Sequence, residues 1–265
     1  MEVRHGQARL ATGVTVPYLE QGRAEGAALV LLHAWGESMH AFSRLMPELD
    51  DGIHAFAFDQ RGHRDAEKPA SGYLLADFAG DVTAFLDTVE ISEAVLLGSS
   101  SGGYVAQQVS IDRPDRVRGL VLVGTPRSLA GRAPFADEVD ALVDPIDRQW
   151  VEASLGWFEF AQPVPADYLA DRVEDGVRMP ARVWRDALAG LSAAVPPTEA
   201  GVIVAPTLVI HGGEDRLIPP TEAERLATAI PGARLIVYPD AAHLVLWEHP
   251  ARIADDVAAW ISGLG

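Results

Sequence analysis

The strongest constraint on how this chain folds is an alternation between two hydrophobic periods. Short aliphatic or aromatic runs occur at Val14 to Tyr18, Ala28 to Leu32, Ile53 to Phe58, Ala94 to Leu97, Leu120 to Val123, Thr207 to Ile210 and Leu235 to Tyr238, bounded by Gly, Pro or Asp. Runs of this length and composition read as buried strands. Most of the intervals between them carry the helical period instead. From Leu74 to Val89, residues Leu75, Phe78, Val82, Phe85, Leu86 and Val89 fall near one helix face, and Pro219-Pro220 opens a helix over Thr221 to Ile230. Strands that alternate with helices in this way pair in parallel, with the helices covering the sheet. The expected fold is α/β, a mainly parallel central sheet with helices on both faces.

The rhythm breaks between residues 127 and 201. That stretch has no run of the strand kind, but short helical pieces separated by APF, VDPID, QPVPAD and MPAR, with Trp150, Trp157 and Trp184 among them. A long excursion between two strands is more often functional than incidental. It is expected to be an inserted helical lid, 127–201, on a core built from 1–126 and 202–265. A chain of 265 residues is long enough for one large core with such an insertion.

Composition excludes several function classes. Lys and Arg number 21 against 38 Asp and Glu, a formal net charge of -17 that repels phosphate backbones and anionic lipid surfaces. No nucleic-acid or membrane partner is expected. The chain has no cysteine, which rules out disulfides, thiolate metal sites and a cysteine nucleophile. The start, MEVRHGQARLATG, lacks the apolar stretch of a signal peptide, and no run is long enough to cross a bilayer. A cytoplasmic monomer or homodimer acting on a small molecule is the expectation.

The chemistry concentrates in a few turns. In VLLGSSSGGYVAQQV the pattern Gly-x-Ser-x-Gly fits one register, Gly98 to Gly102, which puts Ser100 at the centre of a strand-to-helix corner. Small neighbours leave room for such a turn, and the helix N-terminus beyond it offers partial positive charge. A serine hydroxyl needs a base, and the base needs an orienting carboxylate. TLVIHGGEDRLIPP ends a strand near Asp215, and LIVYPDAAHLVLWEHP places His243 after the last strand and before a closing helix from Pro250 to Ile261. Strand ends on one edge of a parallel sheet are neighbours, so Ser100, Asp215 and His243 can meet. VLLHAWGES puts another turn at that edge, making the N–H groups of Trp35 and Ser101 the expected oxyanion donors. Trp157, Trp184, Ile218 and Leu244 are the expected substrate contacts, although the lid tryptophans equally fit a small core of its own.

HAWGES, DQRGH, GSSSGG, GGEDRLIP and AAHLVLWEHP, in this order, resemble the α/β-hydrolase fold superfamily, in its branch of small cofactor-free bacterial serine hydrolases. The resemblance spans nearly all of the chain outside the lid. It implies a serine hydrolase acting on an ester or lactone through an acyl-enzyme, with no cofactor and no metal. The sequence departs from the family pattern at Ala34 and Arg64, where glycine is common, and at Ser99, where histidine often stands. No acid follows the strand ending at Val123, which leaves Asp215 as the triad acid. The same triad also serves perhydrolysis or halogenation through a peracid, carbon–carbon bond hydrolysis, and ligand receptors that keep it for sensing. Serine at the centre of the corner argues against the epoxide hydrolases and haloalkane dehalogenases, which use aspartate there. Of the other histidines, His33, His63 and His211 read as structural, His249 as part of a helix start, and His5, His40 and His54 carry no signal. No metal-ligand spacing, P-loop or dinucleotide fingerprint stands out.

Overall fold

The computed structural model describes residues 2–158 and 160–264. Its strands are β1 (Arg4–Arg9), β2 (Thr15–Gln21), β3 (Ala27–Leu32), β4 (Ile53–Phe58), β5 (Ala94–Ser99), β6 (Val117–Val123), β7 (Thr207–Gly212) and β8 (Arg234–Tyr238). They form one sheet in the order β1-β2-β4-β3-β5-β6-β7-β8. β1 and β2 are antiparallel to each other, β2 is antiparallel to β4, and every pairing from β4 to β8 is parallel. The expected mainly parallel sheet is present. Its additional strand, β1, lies at an edge and buries little beyond Ala8.

Helices fill the intervals in the expected alternation. α1 (Leu75–Thr88) follows β4, and α2 (Ser101–Asp112) follows β5. Between β6 and β7 come α3 (Ala136–Asp140), α4 (Arg148–Ser154), α5 (Ala166–Val177), α6 (Ala181–Ser192) and α7 (Pro197–Ala200). α8 (Pro220–Ala229) joins β7 to β8, and α9 (Val245–Glu248) and α10 (Pro250–Ser262) close the chain. Because side chains alternate along a strand, successive residues feed opposite layers. Val30, Leu32, Phe56, Leu96 and Leu122 pack with Phe78, Val82, Phe85 and Val105 of α1 and α2. Their neighbours Leu29, Leu31, Ala57, Leu97 and Val123 face Ile253, Val257 and Ile261 of α10.

This topology fixes where a ligand can sit. After β3 the chain steps outward to β4, then returns to place β5 on the other side of β3. Connections therefore diverge above β3 and β5, leaving a crevice at their carboxyl ends. The turn after β3 is HAWGES, and the turn after β5 contains Ser100.

The helices between β6 and β7 are tied to that edge through buried charge. Arg172 of α5 pairs with Asp171 at 2.6 Å and with Asp175 at 2.8 Å. Asp175 also accepts from Ser38 at 2.7 Å and pairs with Arg64 from the turn after β4. Arg64 holds a positive φ of 33° in the position where the related motif has glycine. Its guanidinium answers the buried Asp175 carboxylate, and that contact stands against the strained backbone.

Candidate active site

Ser100 occupies the corner between β5 and α2 with φ 47° and ψ -118°. Its N–H donates to the Val123 carbonyl at 2.8 Å, so the corner is pinned to the neighbouring strand. The flanking glycines are steric requirements. A Cβ at Gly98 would lie 2.3 Å from Gly103 Cα, and one at Gly102 would lie 2.1 Å from the Leu32 carbonyl oxygen. Only with both absent can the strand turn directly into the helix and leave the serine hydroxyl standing clear.

Asp215 and His243 reach the same point from the ends of β7 and β8. His243 Nδ1 lies 2.8 Å from Asp215 Oδ2, and His243 Nε2 lies 3.1 Å from Ser100 Oγ. The other carboxylate oxygen, Oδ1, accepts the Ile218 N–H at 2.8 Å. Asp215 and His243 are both buried. With Nδ1 donating to the carboxylate, Nε2 carries the lone pair that a hydroxyl proton requires. His211 stands behind the acid, 2.8 Å from the Ile218 carbonyl and 3.4 Å from Asp215 Oδ2. Burial pushes its imidazole below the ordinary histidine range, so it serves as a neutral prop.

The HAWGES turn lies opposite. His33 accepts the Gln60 N–H through Nε2 at 2.9 Å, and its Nδ1 meets the Ala34 carbonyl at 2.8 Å, which fastens this turn to DQRGH. Burial, then the adjacent His63, hold it well below its usual pKa. Ala34 keeps an ordinary backbone conformation, whereas Gly36 has φ 81° and a Cβ there would meet Trp184 at 2.6 Å. The N–H groups expected to receive an oxyanion are both at this notch. Ser101 N–H, at the first position of α2, donates to no backbone acceptor among the described residues. Trp35 N–H does have a partner: it donates to the Ser101 hydroxyl oxygen at 2.8 Å.

Above the three side chains is a cavity of about 320 Å³. Ser100, Ser101 and His243 line it together with Trp35, Trp157, Trp184, Ile218 and Leu244. The expected substrate contacts thus all line one space. Trp150 does not, and packs edge-on to Trp157 and Trp184 at 5.6 and 5.3 Å. Three wall residues carried no separate sequence signal. Phe135 stacks between Trp35 and Trp157 at 5.6 and 4.4 Å. Phe158 lies flat on the His243 ring at 5.6 Å and 16°. Glu37 brings a carboxyl group to a wall otherwise mostly apolar, with Oε2 accepting the Ala34 N–H at 3.1 Å.

Among the described residues no cluster of His, Asp and Glu has the makings of a metal site, and no helix is long and apolar enough to cross a membrane.

Comparison with known proteins bears on the fold and the family. The chain is 31% identical to a 2-hydroxymuconate semialdehyde hydrolase from a Pseudomonas species (strain CF600), over 97% of this chain and 94% of the relative. It is 28% identical to a pimeloyl-acyl-carrier-protein methyl ester esterase of Neisseria meningitidis serogroup A, over 88% of this chain and 76% of that one. The crystal structure of a hydrolase from Pseudomonas aeruginosa superposes with a TM-score of 0.86 at 27% identity, covering 97% of this chain and 98% of the other. Residues 29–256 match the alpha/beta hydrolase family, and the chain belongs to it.

Proposed function

We propose that the protein is a serine hydrolase that cleaves a carboxylic ester or lactone of a small, largely apolar substrate through an acyl-enzyme. The observation that carries this reading is the hydrogen-bonded line from Asp215 through His243 to Ser100, opening on an aromatic cavity. His243 Nε2 takes the Ser100 proton as Oγ attacks the carbonyl carbon, and Asp215 steadies the imidazolium that forms. Negative charge then develops on the carbonyl oxygen beside the notch formed by Trp35 and Ser101. Collapse returns the proton from His243 to the leaving alcohol. Water, activated by the same imidazole, releases the acid and restores Ser100.

The walls suit this chemistry. A cavity of about 320 Å³ is at the small end of ligand sites, and its aromatic lining favours an apolar acyl or alcohol portion. Residues 127–201 supply Phe135, Trp157, Phe158 and Trp184 to that lining, which supports their reading as a lid. The methyl ester esterase relative supports an ester as the bond cleaved. The relative alike over almost the whole chain is a semialdehyde hydrolase and not an esterase, which supports keeping the second reading, hydrolysis of a carbon–carbon bond by the same residues.

A panel of p-nitrophenyl esters of increasing acyl length, with several lactones, decides between them. Wild-type protein is expected to turn over short to medium esters, and Ser100→Ala to lose at least about 10⁴-fold in kcat with its melting temperature preserved. Retained turnover in Ser100→Ala would overturn the assignment. Absence of turnover in both proteins would move weight to the carbon–carbon reading.

A further inference from the structure

We propose that the Ser101 side-chain hydroxyl is the second direct donor to the oxyanion, beside the Ser101 amide, and that the Trp35 amide holds it in place and acts through it rather than directly. The inference rests on the serine-hydrolase reading above and extends it to a residue whose side chain has no assigned part.

The geometry is unusual for a notch of this kind. Trp35 N–H, which should point at empty space awaiting a substrate oxygen, donates instead to Ser101 Oγ at 2.8 Å. The contact joins residues 66 positions apart, from the turn after β3 to the first turn of α2. The hydroxyl oxygen thereby has an occupied lone pair and a fixed position. Its own proton finds no acceptor among the described residues, and Ser101 lines the cavity next to Ser100. A hydroxyl that accepts from an amide is polarised toward donation, because each bond in such a chain strengthens the next. Among the described residues the Ser101 amide on the same residue has no backbone acceptor. One residue therefore presents two donors, N–H and O–H, on the cavity side of the corner, with the α2 N-terminus behind them.

The chemical consequence is specific. As Ser100 attacks, the substrate's carbonyl oxygen becomes an alkoxide and accepts from Ser101 N–H and Ser101 O–H together. The hydroxyl proton stays on Ser101 Oγ throughout, and the Trp35 amide stabilises the alkoxide at one remove. Such a donor adds little to binding the neutral ester and acts as charge develops, so its contribution belongs to kcat. A simple filler role predicts the opposite. If the hydroxyl merely satisfies Trp35 N–H in the resting protein, its removal frees that amide to donate directly.

Ser101→Ala separates the two cases by the sign of the change. Alanine is well tolerated in the first turn of a helix, and an unchanged melting temperature together with complete fluorophosphonate labelling of Ser100 verifies that the variant is folded and its nucleophile competent. With p-nitrophenyl butyrate, kcat is expected to fall by about 10²-fold while KM moves by less than about twofold. The inhibition constant of an alkyl trifluoromethyl ketone, which forms a tetrahedral alkoxide on Ser100, is expected to rise by the same factor as kcat falls. An unchanged or increased kcat, or a trifluoromethyl ketone bound as tightly as by wild type, overturns the proposal and leaves the serine-hydrolase reading intact. Wild-type protein that neither turns over the ester nor is labelled at Ser100 removes the hydrolase reading and this inference with it.

Discussion

Glu37 shows how one side chain in the active-site wall ties stability to pH. Burial pushes its carboxyl up to about 7, opposed by the Arg172 guanidinium and the Ala34 N–H and reinforced by the Asp175 carboxylate, with His243 exerting a smaller downward pull. In an unfolded chain a glutamate titrates near 4.3. Between about pH 4.5 and 7 the native protein therefore keeps a proton that the unfolded chain has released, and stability falls as pH rises through that window. Asp59, also raised to about 7 by burial, acts in the same direction. His63, lowered to about 4 by burial, acts in the opposite one, since the unfolded chain binds its proton first as pH falls. The overall curve mixes these contributions, so the informative quantity is a difference between proteins. Glu37→Gln keeps an oxygen for the Ala34 N–H and removes the ionisation. Its stability relative to wild type is expected to be near zero at pH 4.5 and to climb to a plateau of about 4 kcal/mol above pH 7, read from urea denaturation. An offset that is constant across this range would show that the carboxyl titrates alike in the folded and unfolded protein.

At the scale of elements, the loop carrying His243 and the segment after α4 share one clasp. Glu248, at the end of α9, accepts the Ala242 N–H at 2.8 Å with one oxygen and the Ala161 N–H at 2.7 Å with the other. Gln162 Nε2 reaches the Asp240 carbonyl at 3.0 Å, and Phe160 stacks on Trp247 at 6.0 Å. The histidine's neighbour and the segment just past Phe158 thus hang on one carboxylate. Glu248→Ala leaves the buried Ala242 amide and the half-buried Ala161 amide, together with the longer contact from the Gln162 N–H at 3.4 Å, without their acceptor, a loss of about 1–3 kcal/mol. Amide exchange is expected to quicken at Ala161 and Ala242 together while α2 stays protected; a change at only one of them would mean that the two segments move independently. None of this clasp was legible in the sequence, where Glu248 reads as one acid among many. What was legible follows from local periodicity. Seven strands and the helix over Leu75–Thr88 stand out because their buried faces are continuous. β1 does not, because an edge strand reading Arg4, His5, Gly6, Gln7 buries almost nothing and is held by its partner β2. The corner serine was legible through the glycines that sterics impose around it. The Trp35 contact to Ser101, the Phe135 stack and the Arg64 pairing with Asp175 join positions that only the folded sheet edge brings together.

The whole molecule carries 38 acidic against 21 basic side chains, and that imbalance sets how salt acts on it. Two effects compete. Added salt weakens exposed ion pairs such as Arg9 with Glu67, Arg113 with Asp115 and Arg132 with Asp140, but solvent already screens these pairs, so each has little to lose. Salt also screens the mutual repulsion of a net charge of -17, which folding concentrates on one compact surface and unfolding spreads along an expanded chain. At about 10 mM salt the screening length is roughly 30 Å, comparable to the molecule itself, and by 150 mM it is about 8 Å. The repulsion is long-ranged and loses most over this interval; contact pairs lose a fraction of a small quantity. The buried group of Arg172 and Asp175 is hardly screened at all, so the anchoring of α5 stays as it is. The melting temperature at pH 7.5 is therefore expected to rise by a few degrees between 10 and 150 mM NaCl, by analogy with a change of about 1 kcal/mol. It should then level off, because little long-range repulsion is left to screen. A melting temperature that is flat or falls over the same interval would mean that the surface ion pairs outweigh the net charge.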